Sequence, residues 1–510
     1  MKDAAPVPAA APARIVVGRG VVAAVAGAAC VFGFAPFYAW PVPLLALALL
    51  FALWRARGTP MQAALVGLGF GLGYFLVGTS WVYVSLHRYG DMPAVLAAFA
   101  TFLFCAYLAL HPALAAWIAV RFGGGSSIRR LALMPPAFVA AEWIRGTVWT
   151  GFPWLTVGTS QVPNGPLAGF APLAGAYGTS FAVAAASALL VALALRSLAL
   201  RARIAAAAAL VAIIGVGSVA SSVEWTRSDG EPVSVALLQG NVPQQIKWLE
   251  DVRTRTLLDY RQMMFDAKAR VVVLPETALP AYLDQLPADY MQSIREHARA
   301  AGKDIVMGTV ERDLHGGTYD YFNSVVRLPE GGGPASYRKH HLVPFGEYIP
   351  PGFKFVLAVL HIPMSDFSRG PAVQAPLEAG GLRFAVAICY EDVYGGELLA
   401  FLPAAQALLN VSNDAWFGDS FAAEQHLQAS QMRALETGRW MVRATNTGVT
   451  AAIDERGRVA ARLATFTHGI AMSTIVPRSG MTPYARTGDA AAIALAVAAI
   501  ALGALLRRRR

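Results

Sequence analysis

Cys389 lies in AICYEDVYGG (387–396) and is one of only three cysteines in 510 residues. A thiol is a nucleophile only as the thiolate, and the acids Glu391 and Asp392 close behind it raise its pKa. Either Cys389 is inert, or its activation comes from elsewhere in the chain. A catalytic cysteine needs a base for its proton, donors for the oxyanion and a proton source for the leaving group. Histidine is the usual base, yet none lies near Cys389, and His340, His341 and His426 lack a papain-like setting. The other route is a carboxylate base with a lysine beside it, whose charge lowers the thiol pKa and stabilises an oxyanion. Glu276 in LPETALP and Lys339 in YRKHHLVPFGEYIP supply those groups. Taken singly, each residue has a plainer reading. Glu276 fits a strand-end acid, Lys339 a solvated charge beside Arg338, Cys389 a core thiol, and Glu347 a turn acid. Asn413, Asp414 and Trp416 fit a loop closed by side-chain-to-backbone hydrogen bonds.

The elements that must position these residues alternate between short β runs and helices across 232–476. The pattern predicts strands at 233–241, 269–276, 304–310, 321–328, 382–391 and 407–414, and paired strands at 440–448 and 449–457. It predicts helices at 253–268, 290–301 and 422–438. Such alternation argues for an α/β domain with its sheet covered by helices. Glu276 and Cys389 both end strongly apolar strands, where ligands of α/β sheets usually sit.

The rest of the chain has a different character. Of all residues 56% are hydrophobic and 15% charged, against about 25% charged in a soluble domain. Residues 1–220 contain almost no Asp or Glu. Apolar segments at 15–34, 39–54, 61–83, 93–120, 131–148, 174–195, 203–221 and 488–506 approach the roughly 20 residues a membrane helix needs. Prolines interrupt the second and fifth. Arginines cluster before the first segment (Arg14) and after the second (Arg55, Arg57), fourth (Arg121, Arg129, Arg130), sixth (Arg196, Arg201, Arg203) and eighth (Arg507–Arg510). By the positive-inside rule this predicts eight spans, both termini cytoplasmic and 222–487 outside. The expected domains are 1–221 (membrane), 222–487 (catalytic) and 488–510 (last helix and basic tail). The first segment is read as an uncleaved span, since Gly27-Ala28-Ala29-Cys30 matches a lipoprotein cleavage site poorly. The net charge of +10 belongs to these topology signals, so no nucleic-acid partner is expected. Cys30 and Cys105 read as buried hydrophobes. The aromatic stretches 80–90 and 142–158 fit either an interfacial belt or a platform for lipid.

The order Glu276, Lys339, Cys389 resembles the Glu-Lys-Cys triad of the nitrilase superfamily. VVVLPETALP, YRKHHLVPFGEYIP, ICYEDVYG, NVSNDAWFGDSFAAEQHLQASQMRALETGRWMVRATNTGVTAAID and the early QGNVPQQIKW together resemble the apolipoprotein N-acyltransferase family, over nearly the whole chain. Leu274 departs from the aromatic residue often found there. The resemblance implies a polytopic α-helical membrane domain of about eight transmembrane helices plus an α/β nitrilase-like domain, an α-β-β-α sandwich. It implies Glu276 as general base, Cys389 as nucleophile and Lys339 as stabiliser of tetrahedral intermediates. Glu347 would be a supporting glutamate, Tyr390 and Glu391 would shape the acyl pocket, and Trp248 and Asn323 would line the substrate path. The implied donor is a membrane phospholipid, the acceptor a diacylglyceryl apolipoprotein, and no metal or cofactor is required. The implied location is the bacterial inner membrane, with a monomer whose catalytic domain is periplasmic. A tethered hydrolase and a scaffold with a dead nitrilase domain are the alternatives. Residues 344–355 and 356–364 suggest either a mobile arm near the membrane or an ordered loop.

Overall fold

In the computed structural model, residues 10–56, 58–328, 335–352 and 366–508 are described. Residues 356–364, weighed above as a membrane-facing arm, lie outside them, as do 353–355, Arg57, Arg509 and Arg510. The chain divides into two compact units, Met1–Tyr83 with Val95–Val223 and Arg486–Arg510, and Val84–Ala94 with Glu224–Ala485.

In the first unit helices occupy each of the eight apolar segments: Ala13–Cys30, Pro41–Arg55, Pro60–Gly78, Ala94–Gly123, Ser127–Thr147, Ala171–Ala194, Leu200–Ser222 and Ala490–Arg508. Six of these are long and apolar enough to cross a membrane. Pro41–Arg55, at 15 residues, is too short by that measure. Ser127–Thr147 carries Arg129, Arg130, Glu142 and Arg145 within its length. Pro41 and Pro60 sit at helix starts, where no N–H is needed. The aromatic stretch 142–158 is only partly a loop, because Glu142 and Arg145 belong to the helix and are buried. Arg145 donates to the carbonyls of Phe152 (2.5 Å) and Trp154 (2.7 Å), and the Val157 amide donates to Glu142 (2.7 Å). A buried ion pair thus finds its partners in the loop's own backbone.

The second unit contains two six-stranded mixed sheets. One runs, edge to edge, Gly469–Ile475, Val233–Gln239, Val271–Val273, Asp304–His315, Thr318–Leu328 and Ala335–Arg338. The other runs Val459–Arg462, Ala451–Ile453, Met441–Thr445, Ala407–Ser412, Leu382–Ile388 and Leu377–Ala379. Three neighbouring strands are parallel in each: 233–239, 271–273 and 304–315 in the first, and 441–445, 407–412 and 382–388 in the second. Side chains alternate faces along a strand. Ala236, Leu238, Val272, Ile305 and Met307 pack against Leu257, Tyr260, Met264, Tyr290 and Ile294 of the helices Glu250–Asp266 and Ala288–Ala301. Their neighbours Val235, Leu237, Val271, Val273 and Val306 are fully buried on the opposite face. The 233–239 strand meets 441–445, and 318–328 meets 382–388, so the sheets stack face to face. The helix Ala422–Thr437 covers the outside of the second sheet.

Several expected strands are shorter or were not foreseen. The 269–276 run has ladder pairing only at 271–273, and Cys389 begins a short 3₁₀ turn rather than ending a strand. The edge strands 335–338, 377–379, 459–462 and 469–475 were not foreseen, and the first three are only three or four residues long.

Candidate active site

Cys389 and Glu276 stand just past the ends of parallel strands. Cys389 follows Leu382–Ile388 with φ 54°, and Thr277 follows Glu276 with φ 47°. A non-glycine residue there costs about 1–3 kcal/mol and persists only where its surroundings hold it. For Cys389 the hold includes Asn410, whose amide donates 3.0 Å to the Cys389 carbonyl. For Glu276 it includes Gly308 on the adjacent strand. A Cβ at Gly308 would lie 2.3 Å from the Pro275 carbonyl oxygen and 2.5 Å from the Glu276 Cα, so only glycine lets the two backbones meet. The Ala278 amide then donates to the Gly308 carbonyl (3.1 Å).

Lys339 follows Ala335–Arg338 and is 1% exposed. Its Nζ lies 2.9 Å from Glu347 and 3.7 Å from Glu276 Oε1. Asn323 joins the two acids, its Nδ2 donating to Glu276 Oε1 (2.7 Å) and Glu347 Oε1 (2.9 Å). The Asn413 amide donates to Glu276 Oε2 (2.8 Å). Residues 343–348 close a turn that presents Glu347, with Glu347 N–H donating to Val343 O and Val343 N–H to Glu347 Oε2, both 2.9 Å. Asn323, foreseen only as a path-lining residue, therefore aligns both carboxylates.

The charges explain how such a thiol is used. Burial pushes the Cys389 thiol well above its ordinary pKa, the Glu276 charge adds to that, and Lys339 pulls it back. Burial opposes the Lys339 charge, yet Glu347 and Glu276 overcome it and hold the ammonium well above its usual range. At neutral pH the pair is therefore an S–H and a fixed cation, with a carboxylate alongside. This arrangement suits covalent acyl transfer. A carboxylate beside a thiol can take its proton, and an ammonium can stabilise a developing oxyanion.

Residues 26–189 match the apolipoprotein N-acyltransferase N-terminal domain family, and residues 234–484 match the carbon-nitrogen hydrolase family. The apolipoprotein N-acyltransferase of Nitrosomonas europaea is 47% identical over 498 residues, spanning 96% of this chain and 99% of that one. The chain belongs to the apolipoprotein N-acyltransferase family. That of Ralstonia nicotianae is 44% identical over 496 residues, covering 96% and 93% respectively. A solved carbon-nitrogen hydrolase from Helicobacter pylori G27 is more distant, at 16% identity and a TM-score of 0.35 over 55% of this chain and 95% of that one.

In this acyltransferase Glu391 has an unexpected place. Sequence reading set it beside the acyl pocket, but its carboxylate is 2% exposed and surrounded by donors. Oε1 accepts from the amides of His340 (2.8 Å) and His341 (2.9 Å). Oε2 accepts from the Ile388 amide (2.8 Å) and the Tyr337 hydroxyl (3.0 Å). Glu391 thus ties the segment after Lys339 to the residue before Cys389. Burial raises its pKa to about 7, against the pull of Lys339 and the backbone amides. Replacing Glu391 with glutamine sets an NH₂ against two of those donors. Each buried donor left unmet costs about 1–3 kcal/mol. The expected result is a thermal midpoint several degrees lower and acyl-enzyme formation slowed about tenfold or more. An unchanged melting curve and rate would show that the bracket is dispensable.

Tyr390 accepts a hydrogen bond from the Tyr394 hydroxyl (2.6 Å), and His341 stacks on Tyr394 with ring centroids 3.9 Å apart. Trp248 is 41% exposed. Its loop is pinned by Asn446, which exchanges hydrogen bonds with Val242, and by Asn413, whose Nδ2 donates to Gln244 (2.8 Å). Beside Trp248, Lys247 is almost fully buried. Burial lowers its pKa to about 8, with Glu276 pulling the other way.

Sequence reading also missed a buried charge cluster behind Cys389. His426 Nε2 lies 2.7 Å from Asp392 and Nδ1 2.9 Å from Asp414. Arg443 lies 3.1 Å from Asp392 and 2.8 Å from Asp414. Carboxylates face both ring nitrogens, which calls for the imidazolium. Burial and Arg443 depress its pKa, but Asp392 and Asp414 raise it to about 9. A folded-state pKa above the unfolded value means stability that is fully present below pH 6.5 and lost as pH rises through 9. The stability gap between the native protein and His426→Gln should narrow by about 3 kcal/mol over that window. Urea unfolding of the catalytic unit at both pH values measures it, and a constant gap would count against a charged His426. The spacing of QHL in the sequence gave only a helical histidine; its carboxylate partners lie 34 and 12 residues away.

Proposed function

We propose that this acyltransferase moves an acyl chain from a membrane phospholipid to the α-amine of an N-terminal diacylglyceryl-cysteine on an apolipoprotein, through a thioester on Cys389. The observation that carries the proposal is the convergence of Lys339, 2.9 Å from Glu347 and 3.7 Å from Glu276, with Asn323 bonded to both acids, beside a buried thiol that feels the charges of Lys339 and Glu276.

Glu276 takes the Cys389 proton as sulfur attacks the ester carbonyl. The oxyanion forms near Lys339. The C–O bond then breaks, and Glu276 returns the proton to the departing lysophospholipid oxygen. After that product leaves, the neutral α-amine attacks the thioester and Glu276 accepts its proton. Collapse breaks the C–S bond, releases the amide product and gives the proton back to sulfur. One site serves both halves, so the kinetics are ping-pong.

Both substrates are lipid-anchored, and drawing a chain out of the bilayer costs about 0.8 kcal/mol per CH₂. That favours a catalytic unit working at the membrane surface. The clustering of arginines after every second apolar segment supports eight spans, cytoplasmic termini and a catalytic unit on the outer face. We take Trp248 and the Tyr390–Tyr394 pair as the walls met by the incoming chain.

A fluorescent acyl phospholipid with a diacylglyceryl lipopeptide tests the whole reading. Label on the lipopeptide amine is the expected outcome. Label released as fatty acid would point to a hydrolase, and no labelled protein at all would point to a scaffold.

A further inference from the structure

Four helices of the first unit bring arginines to one place. Arg55, at the end of Pro41–Arg55, donates from Nη1 to Ser127 Oγ (2.9 Å) at the start of Ser127–Thr147. Arg130, in the first turn of that helix, donates from Nε to the Gly124 carbonyl (2.6 Å) and from Nη1 to the Ala56 carbonyl (3.4 Å). Arg507, near the end of Ala490–Arg508, donates to the Arg121 carbonyl in the last turn of Ala94–Gly123. Arg129 stands beside Arg130.

This group lacks a counter-charge. The described residues of the first unit contain two acids, Glu142 and Asp489. Glu142 pairs with Arg145, and at 1.5 Å per residue it lies about 20 Å along the helix from Arg129. Asp489 adjoins the start of the helix whose far end carries Arg507, about 27 Å away. Exposed charges are largely screened beyond about 10 Å in ordinary salt, so neither acid compensates the arginines.

Membrane topology alone does not ask for this arrangement. The positive-inside rule counts charges in a loop and is indifferent to where each head group points. Here three guanidiniums are fixed by hydrogen bonds to other helices or their connections. Arg55, Arg121 and Arg507 suit the C-terminal ends they occupy, but a cation in a first turn works against the helix dipole, and Arg129 and Arg130 both stand there. Every described cation among the Lys and Arg positions of the unit is an arginine, whose fork matches a phosphate. Arg55 and Arg129 are half-buried and Arg121 and Arg507 exposed, so an anion can reach them.

We propose that Arg55, Arg129, Arg130 and Arg507 form a binding site for the phosphate of an anionic membrane lipid. None of these residues belongs to the catalytic unit, so the site is distinct from that of the acyl donor. The helices point to a lipid as the source of the phosphate. Ala94–Gly123 and Ala490–Arg507 are long and apolar enough to cross a membrane, and the ends of such helices lie at the level of lipid head groups. A lipid with net negative charge supplies what the unit lacks and holds the four helix ends together.

The test is lipid retention by the full-length enzyme in detergent, read by native mass spectrometry, with the thermal midpoint measured alongside. The probes are phosphatidylglycerol and phosphatidylcholine of identical chains, and inorganic phosphate. The native enzyme should retain phosphatidylglycerol about tenfold or more over phosphatidylcholine, and only phosphatidylglycerol should raise the midpoint. An arginine near anionic lipid is worth about fivefold in binding. Arg55→Gln combined with Arg129→Gln should therefore weaken retention about twentyfold to thirtyfold. Among the described residues the Arg129 side chain makes no hydrogen bond, so Arg129→Gln alone breaks none and should still lose about fivefold. That single variant decides should the double variant not fold. Arg196→Gln with Arg201→Gln removes two arginines of the same unit that share no hydrogen bond with this group, and should leave retention unchanged. Equal retention of the two lipids overturns the proposal, and so does unchanged retention in the Arg55 and Arg129 variants, which is what lipid held only as acyl donor would give. An equal loss from the Arg196 and Arg201 variant would show diffuse attraction and overturn it too. So would a midpoint rise with inorganic phosphate as large as that with lipid, which would mark a site for a free ion.

Discussion

Replacing Lys339 with methionine is expected to lower acyl-enzyme formation by about a thousandfold or more. Lys339 neutralises two carboxylates, Glu347 at 2.9 Å and Glu276 at 3.7 Å, which Asn323 holds together. Removing one partner of a buried ion pair costs about 3–5 kcal/mol, because the other charge is left uncompensated. The cheapest relief is for Glu276 or Glu347 to take up a proton, which disables or weakens the base. The oxyanion loses its cation in the same step, and loss of one such donor slows reactions about a hundredfold to a thousandfold. Arginine does not repair the site, since its planar fork needs room that a side chain 1% exposed does not have. The check is single-turnover transfer from a fluorescent phospholipid, read by intact mass. A Lys339→Met protein that acylates within tenfold of the native rate would remove the lysine from the mechanism.

The second large effect is at Cys389, the proposed nucleophile. Cys389→Ala should give no acyl-enzyme, and Cys389→Ser should lose on the order of ten-thousandfold, as nucleophile replacements in such triads do. The thiol is already pushed upward by burial and by Glu276. A hydroxyl starts several units higher, so the carboxylate base that suffices for sulfur does not suffice for oxygen. Accumulation of acyl-enzyme in the alanine protein would move the nucleophile elsewhere, and near-native turnover in the serine protein would refute the thiolate argument.

Much of the fold was legible because it repeats locally. The eight apolar segments are helices in the structure, though hydropathy alone qualifies only six as long enough spans. Pro41–Arg55 is short, and the charges in Ser127–Thr147 are met inside the fold by the carbonyls of 152 and 154 and the amide of 157, which no hydropathy window records. Strands with both faces buried, such as 233–239 and 382–388, were readable as apolar runs. Edge strands were not, since three of the four are only three or four residues long.

The sequence by itself marked out an apolar part and an α/β part, and singled out Glu276, Lys339, Glu347 and Cys389 as candidate site residues. Apolar strands that stop at polar residues leave a local mark, and so do motifs a few residues long. Only the tertiary structure decided what each group faces. Glu276 meets an amide 137 residues away, and Arg443 meets Asp392 51 residues away. Glu391, two residues from the sulfur in sequence, spends its carboxylate on Tyr337, His340, His341 and Ile388. The acid beside Cys389 that raised the first doubt about its reactivity is thus a bracket for the backbone. Hydrogen bonds are directional and short-ranged. Their partners are fixed by how the two sheets stack and where strands end, and no spacing along the chain encodes that.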